Sequence, residues 1–265
     1  MVWIWICWVW KNIIAKSGVK LLFSFVISLP LCYYFGMNRN VLKIVAVVSM
    51  LIDHVGLFLL ENNVVCRVVG RLAFPIFAFF IAEGMKHTRN RKKYVFLLTI
   101  FACVSQMPYL LMVGYFKLNT LFSFLIAISF ILMIESLLNK SQEKIMLKTI
   151  MIVLGLCLLF TFCLIGEIFG FIDYSIFGIA MVVAFYFFGK KWGLVLSAVI
   201  IFAMTTQDVL ISGFSFDSIK QIFALISLLL ILIYNGKKGN LNLKYLFYVF
   251  YPLHLVLIWC LGILI

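Results

Sequence analysis

The 265-residue chain is 66% apolar and only 12% charged, with a formal net charge of +13. No soluble globular domain has that balance, and the long solid apolar runs, unlike the short alternating segments of a β-barrel, specify an all-α, polytopic transmembrane helical bundle. The positive charge lies in loops between apolar runs, where inner-loop lysine and arginine belong, so it does not imply a nucleic-acid partner.

In chain order, residues 1–36 come first, a Trp-rich start followed by Lys11, Lys16 and Lys20 and an apolar run broken by Pro30. They read either as an extra transmembrane helix or signal-like anchor, or as sequence upstream of a native start at Met37. From Met37 to residue 265 the chain is a single transmembrane domain. Spans are expected near 41–60, 64–85, 93–116, 120–138, 145–165, 171–188, 192–211, 219–234 and 244–264, about nine to ten membrane-spanning helices in all. Lys and Arg alternate in the way nine core helices require, whereas a tenth, N-terminal helix would put Lys11, Lys16 and Lys20 outside. Arg39 and Lys43 precede the first span, and the residue 86–93 run follows the second. Lys140, Lys144 and Lys148 follow the fourth, Lys190 and Lys191 the sixth, and Lys237, Lys238 and Lys244 the eighth. The intervening loops carry little beyond Lys117 and Lys220, and hold Glu61, Glu167, Asp208 and Asp217. The bundle therefore enters from the cytoplasm, as a multi-pass protein of the inner membrane of a bacterium would.

The seven cysteines are scattered, without disulfide or ligand spacing. No Walker loop, dinucleotide fingerprint or metal motif is present, so no metal is expected.

The stretch Met50-Leu51-Ile52-Asp53-His54-Val55-Gly56 dominates the functional reading. A charge at the bilayer centre costs about 2.5–3.5 kcal/mol on insertion scales, which makes an ionisable residue there a functional candidate. At about 1.5 Å per residue, Asp53 and His54 lie roughly 18 Å from the inner end of the first helix. Arg67 and Arg71, four apart on the second span, share a face, and Arg71 reaches the depth of Asp53. Asp53 is expected to pair with Arg71, while His54, about 100° round the helix, faces a cavity. His254 is mid-membrane on the last span, after Tyr251 and Pro252; Gln106 lies at similar depth on the third, and Asp173 lies at the outer start of the sixth. The inner mouth collects Glu83, Lys86, His87, Arg89, Arg91, Lys92, Lys93, Asn235, Lys237 and Lys238. A basic mouth beneath a polar core suits a polyanion with a long arm. Trp192, Tyr245 and Trp259 are expected as interfacial anchors in membrane lipid.

These stretches also carry a resemblance. Asp53-His54-Val55-Gly56, the run Gly70 to Phe79 with Ala82-Glu83-Gly84 and His87-Thr88-Arg89-Asn90, Ser105-Gln106-Met107-Pro108, Asn119 to Phe122, Asp173-Tyr174, Tyr234 to Gly239 and Phe250 to Leu255 recur in order. Together they resemble the TraX family of membrane proteins, named for a protein linked to pilin N-terminal acetylation; Ser175 departs from the glycine usual after Asp-Tyr. The resemblance implies an acetyltransferase, with acetyl-CoA as acyl donor at the inner mouth and a histidine at the chemistry. The acceptor would be an amine or hydroxyl of a peptide, a pilin-like protein or a surface glycopolymer. On that reading His54, Asp53, Arg71 and His254 are catalytic, with His54 the base and Arg71, supported by Arg67, stabilising an oxyanion. Arg67, Gln106, Asp173 and Tyr251 would contact substrate. Glu83, His87, Arg89, Asn235, Lys237 and Lys238 would hold the donor. A proton-coupled transporter is the other reading of intramembrane Asp, His and Arg, and it would require inverted repeats, for which the sequence offers no convincing match. A purely structural membrane partner would leave the buried charges without a purpose.

Overall fold

A computed structural model describes residues 37–138, 145–240 and 246–264. The readings of residues 1–36, Lys140, Lys144, Lys244 and Tyr245 therefore fall outside the described residues. The helices are α1 (Arg39–Phe58), α2 (Val64–Gly70), α3 (Ala73–His87), α4 (Arg91–Val113), α5 (Thr120–Leu138), α6 (Ile145–Phe169), α7 (Ser175–Ser212), α8 (Phe216–Ile219), α9 (Leu225–Ile233) and α10 (Leu246–Leu264). A 3₁₀ turn, Lys220–Ala224, joins α8 to α9. No strand occurs among the described residues; one isolated bridge links Leu118 and Ile172.

Local chemistry sets the boundaries. Asn38, Asn63 and Asn90 cap α1, α2 and α4 through side-chain oxygens that accept from backbone N–H groups of the first turn. Gly114, at φ 78°, ends α4 in the left-handed conformation. The second span is broken between α2 and α3 at Arg71-Leu72, one turn before Pro75. Proline lacks the N–H that would bond the carbonyl four residues earlier, which here is that of Arg71. α7 is a 38-residue run with one non-helical residue, Gly189, at φ 70°. A side chain on Gly193 would press on the backbone of Phe185. Residues eight apart in a straight helix are separated by about 12 Å, so the run folds back at Gly189. The loop expected between the sixth and seventh spans is thus reduced to one glycine.

Seven stretches among the described residues are long and apolar enough to cross a membrane. The folded-back run 176–212 is one of these seven, and Tyr248–Leu264 of α10 is a shorter apolar helix. The architecture is the expected all-α membrane bundle, with α2 and α3 forming one span; the seven long apolar stretches among the described residues are fewer than the nine to ten expected of the whole chain. Leu42, Ile76, Met85, Leu98, Ile128 and Ile231 sit at the centre of the main core, where α1, α3, α4, α5 and α9 meet α7. The two basic segments at one end of the bundle are tied together: Arg39 N donates to Lys237 O at 2.8 Å, and Asn235 N to Met37 O at 3.0 Å.

Candidate functional site

A cavity of about 850 Å³ opens between α1, α3, α4, α5 and α10. Its basic end is lined by Arg39, Lys43, His87, Arg89, Lys93 and Lys238; its other end by Asp53, His54, Thr120, Tyr174 and Tyr251. Phe77, Phe80, Tyr94 and Tyr248 also line the wall. The volume falls within the range of roughly 300–1,000 Å³ usual for small-molecule sites.

Two polar clusters meet at Asp53 and His54. In the first, the Asp53 carboxylate accepts from Arg67 Nη1 at 2.7 Å and from Arg71 Nη2 at 3.1 and 3.2 Å. Arg71 donates further from Nη1 to Gln221 Oε1 at 3.3 Å and from Nε to Arg67 O at 3.2 Å. The expected pairing of Asp53 with Arg71 is present, and Arg67 joins it. Gly70 and Gly56 allow this close approach of α2 to α1. A Cβ on Gly70 would overlap the Asp53 carboxylate, and one on Gly56 would overlap Cys66. Neither arginine lines the cavity. The guanidinium of Arg71 is committed to Asp53, Gln221 and the Arg67 carbonyl, so the oxyanion duty expected of it has no geometric support.

The second cluster is the histidine pair. His54 Nδ1 lies 2.7 Å from His254 Nε2, and His254 Nδ1 lies 2.7 Å from Phe250 O. A carbonyl oxygen only accepts, so His254 Nδ1 carries a proton and donates to it. With both rings neutral, His254 Nε2 then accepts from His54 Nδ1, and His54 Nε2 is left with a free lone pair. The two rings are parallel, with centroids 5.0 Å apart and 2° between planes. His254 is 2% exposed and has the ring of Phe250 stacked at 4.8 Å on it and that of Tyr251 edge-on at 5.6 Å. The buried imidazole of α10 thereby fixes both the tautomer and the orientation of the one that lines the cavity.

Tyr174 adds a backbone feature. It is left-handed at φ 53°, a conformation that costs a non-glycine residue about 1–2 kcal/mol. Its ring stacks on Phe74 at 3.8 Å and faces the Arg71 guanidinium at 5.9 Å.

Other expected site residues are placed differently. Gln106 and Asp173 are off the cavity wall. Gln106 donates to Lys117 O and accepts from the backbone and side-chain nitrogens of Asn119. Asp173 accepts from Tyr109 Oη at 2.6 Å and pairs with Lys117 Nζ at 2.6 Å. Both tie neighbouring loops to the bundle. Glu83, His87 and Arg89 are on the wall, with Glu83 3.6 Å from Arg39. Lys238 is on the wall, while Asn235 and Lys237 are not. Arg91 pairs with Glu135, and Lys86 donates to Phe185 O, so these two basic residues serve the bundle. The wall residues missed as site candidates are Tyr94, Thr120 and Tyr248, together with Arg39 and Lys43. In the sequence Arg39 and Lys43 mark topology, and Leu42-Lys43 leading to Met50 also shares in the family resemblance; their position at the start of the helix bearing His54 is the available signal.

The TraX protein family matches residues 38–262 of this chain. A Dichelobacter nodosus protein described as "Probable fimbrial assembly protein FimC, serogroup H1" is 26% identical over 261 residues, covering 84% of this chain and 97% of that protein. The uncharacterized protein RP591 of Rickettsia prowazekii (strain Madrid E) is 45% identical over 42 residues, 16% of this chain and 17% of that protein. No solved structure matches.

Proposed function

The chain belongs to the TraX protein family, and from that premise we propose that it is an integral membrane acetyltransferase acting on peptide, pilin-like or surface-polymer acceptors in the inner membrane of a bacterium. The observation that carries the reading is one continuous cavity with a basic mouth at one end and an imidazole with a free Nε2 at the other. The fimbrial name of the Dichelobacter nodosus relative agrees with an acceptor that is a secreted or surface-assembled peptide.

In this reading Arg39, Arg89, Lys93 and Lys238 bind the phosphates of acetyl-CoA at the mouth. The aromatic wall of Phe77, Phe80, Tyr94 and Tyr248 guides its arm inward. His54 Nε2 takes the proton from the acceptor amine or hydroxyl as that group attacks the thioester carbonyl, and returns it to the departing thiolate. A base so placed contributes on the order of 10²–10⁴-fold. His254 positions the base, and Asp53 holds α1 against α2 through the two arginines.

Comparative mass spectrometry of secreted peptides and surface polymers, from cells with and without the protein, tests the proposal. An acetyl-sized difference on one component supports it and identifies the acceptor. Unchanged spectra, combined with no binding of acetyl-CoA to purified protein, would reject it. Substrate uptake into liposomes that needs no acceptor would instead favour the proton-coupled transporter.

A further inference from the structure

The acetyl transfer proposed above builds negative charge on the carbonyl oxygen under attack, and a donor must meet it in a site largely closed to water. Arg71 is spent on Asp53 and Gln221 and lies off the wall. The His54 ring already has its Nδ1 proton directed at His254. Tyr251 differs from both. It lines the cavity, is 5% exposed, and its buried hydroxyl has no hydrogen-bond partner although it lies beside Thr120. A buried unpaired hydroxyl is destabilising on its own account. Thr120 stands next to it without meeting hydrogen-bond geometry, its own hydroxyl turned to Asp173 at 3.5 Å. The Tyr251 ring is held edge-on to His254 at 5.6 Å, three residues along α10, so it belongs to the same end of the cavity as the imidazole pair.

We propose that Tyr251 is the oxyanion donor of this reaction, its hydroxyl giving a hydrogen bond to the acetyl carbonyl oxygen. The inference rests on the acetyltransferase reading. As the acceptor nitrogen bonds to the carbonyl carbon, the carbonyl π electrons move to oxygen and are held there by the Tyr251 O–H, which keeps its proton. His54 Nε2 takes the proton from the nitrogen. The electrons return, the carbon–sulfur bond breaks, and His54 passes its proton to the thiolate, leaving amide and free thiol.

The test compares purified full-length protein with Tyr251→Phe, which removes one oxygen and keeps the ring. Thiol release from acetyl-CoA is followed with a short peptide bearing a free N-terminal amine. Binding is measured with a thioether analogue in which a methylene separates sulfur from the carbonyl, and folding by thermal melting. The expected result is a fall in kcat on the order of 10²–10³-fold, with KM, analogue binding and melting temperature held. Unchanged kcat would overturn the assignment while leaving the acetyltransferase reading intact. A fall in kcat that follows a lower melting temperature or lost analogue binding would also overturn it, by making Tyr251 structural. If the unaltered protein neither binds the analogue nor releases thiol, the acetyltransferase reading fails and this inference falls with it.

Discussion

Asp53 and His54 are adjacent in sequence and belong to two centres of opposite character. The Asp53 centre is closed: its carboxylate is clasped by Arg67 and Arg71, and Arg71 also donates to Gln221 and a carbonyl. The His54 centre is open: a lone pair on Nε2 and the unpaired hydroxyl of Tyr251 belong to residues that line an 850 Å³ cavity. Both are costly inside a membrane, but only the open one turns its unsatisfied polar groups to the cavity; Arg67 Nε, buried without a partner in the closed centre, belongs to a residue off the wall. Buried charge by itself therefore does not mark a reactive group; what distinguishes one is a polar atom left unsatisfied on a residue that lines a cavity.

Breaking the closed centre should have the largest effect, and it should be on folding. Asp53→Ala leaves two guanidinium groups facing each other without a counter-charge. Removing one partner of such a buried pair costs about 3–5 kcal/mol, a loss readable as aggregation or a lowered melting temperature in detergent. Wild-type melting behaviour in that variant would show that the trio does not hold α1 to α2. Breaking the open centre should affect activity instead. His54→Ala is expected to lower acetyl transfer by on the order of 10²–10⁴-fold while folding and donor binding persist.

A finer division is available at His254. His254→Gln keeps an oxygen able to accept from His54 Nδ1, whereas His254→Leu leaves that N–H buried without an acceptor. An unsatisfied buried donor costs about 1–3 kcal/mol, so Leu should lose roughly 10–100-fold in transfer and Gln clearly less. Equal rates in the two variants would remove the tautomer-setting role. The smallest effects belong to the mouth. Lys238→Ala or Arg89→Ala should raise KM for acetyl-CoA severalfold at low salt, fade as ionic strength rises, and leave kcat alone. A salt-independent change would point to packing rather than phosphate contact.

Much of this was legible in the sequence because membrane depth converts position along a helix into height. That conversion matched Asp53 to Arg71, and the four-residue spacing added Arg67 to the same face. Charge alone pointed to a basic cluster, of which His87, Arg89, Lys93 and Lys238 line the cavity while Lys86, Arg91, Asn235 and Lys237 do not. The contact between His54 and His254 was not, because the two lie 200 residues apart and their meeting depends on the rotation of α10 against α1. Gln221 was hidden in a short 3₁₀ turn. Gln106 and Asp173 looked available as buried polar residues, yet their side chains are taken up by loop backbone, Tyr109 and Lys117, which no spacing reveals. The break at Arg71 had a visible cause in Pro75, whereas the fold-back at Gly189 required its positive φ to be seen.

The most direct measurement is a single-turnover assay with acetyl-labelled acetyl-CoA bound to the purified protein and to His54→Ala, chased with free-amine peptide. The account predicts equal donor binding in both, rapid labelling of the peptide by the unaltered protein, and almost none by the variant. Equal labelling rates in the two would contradict it.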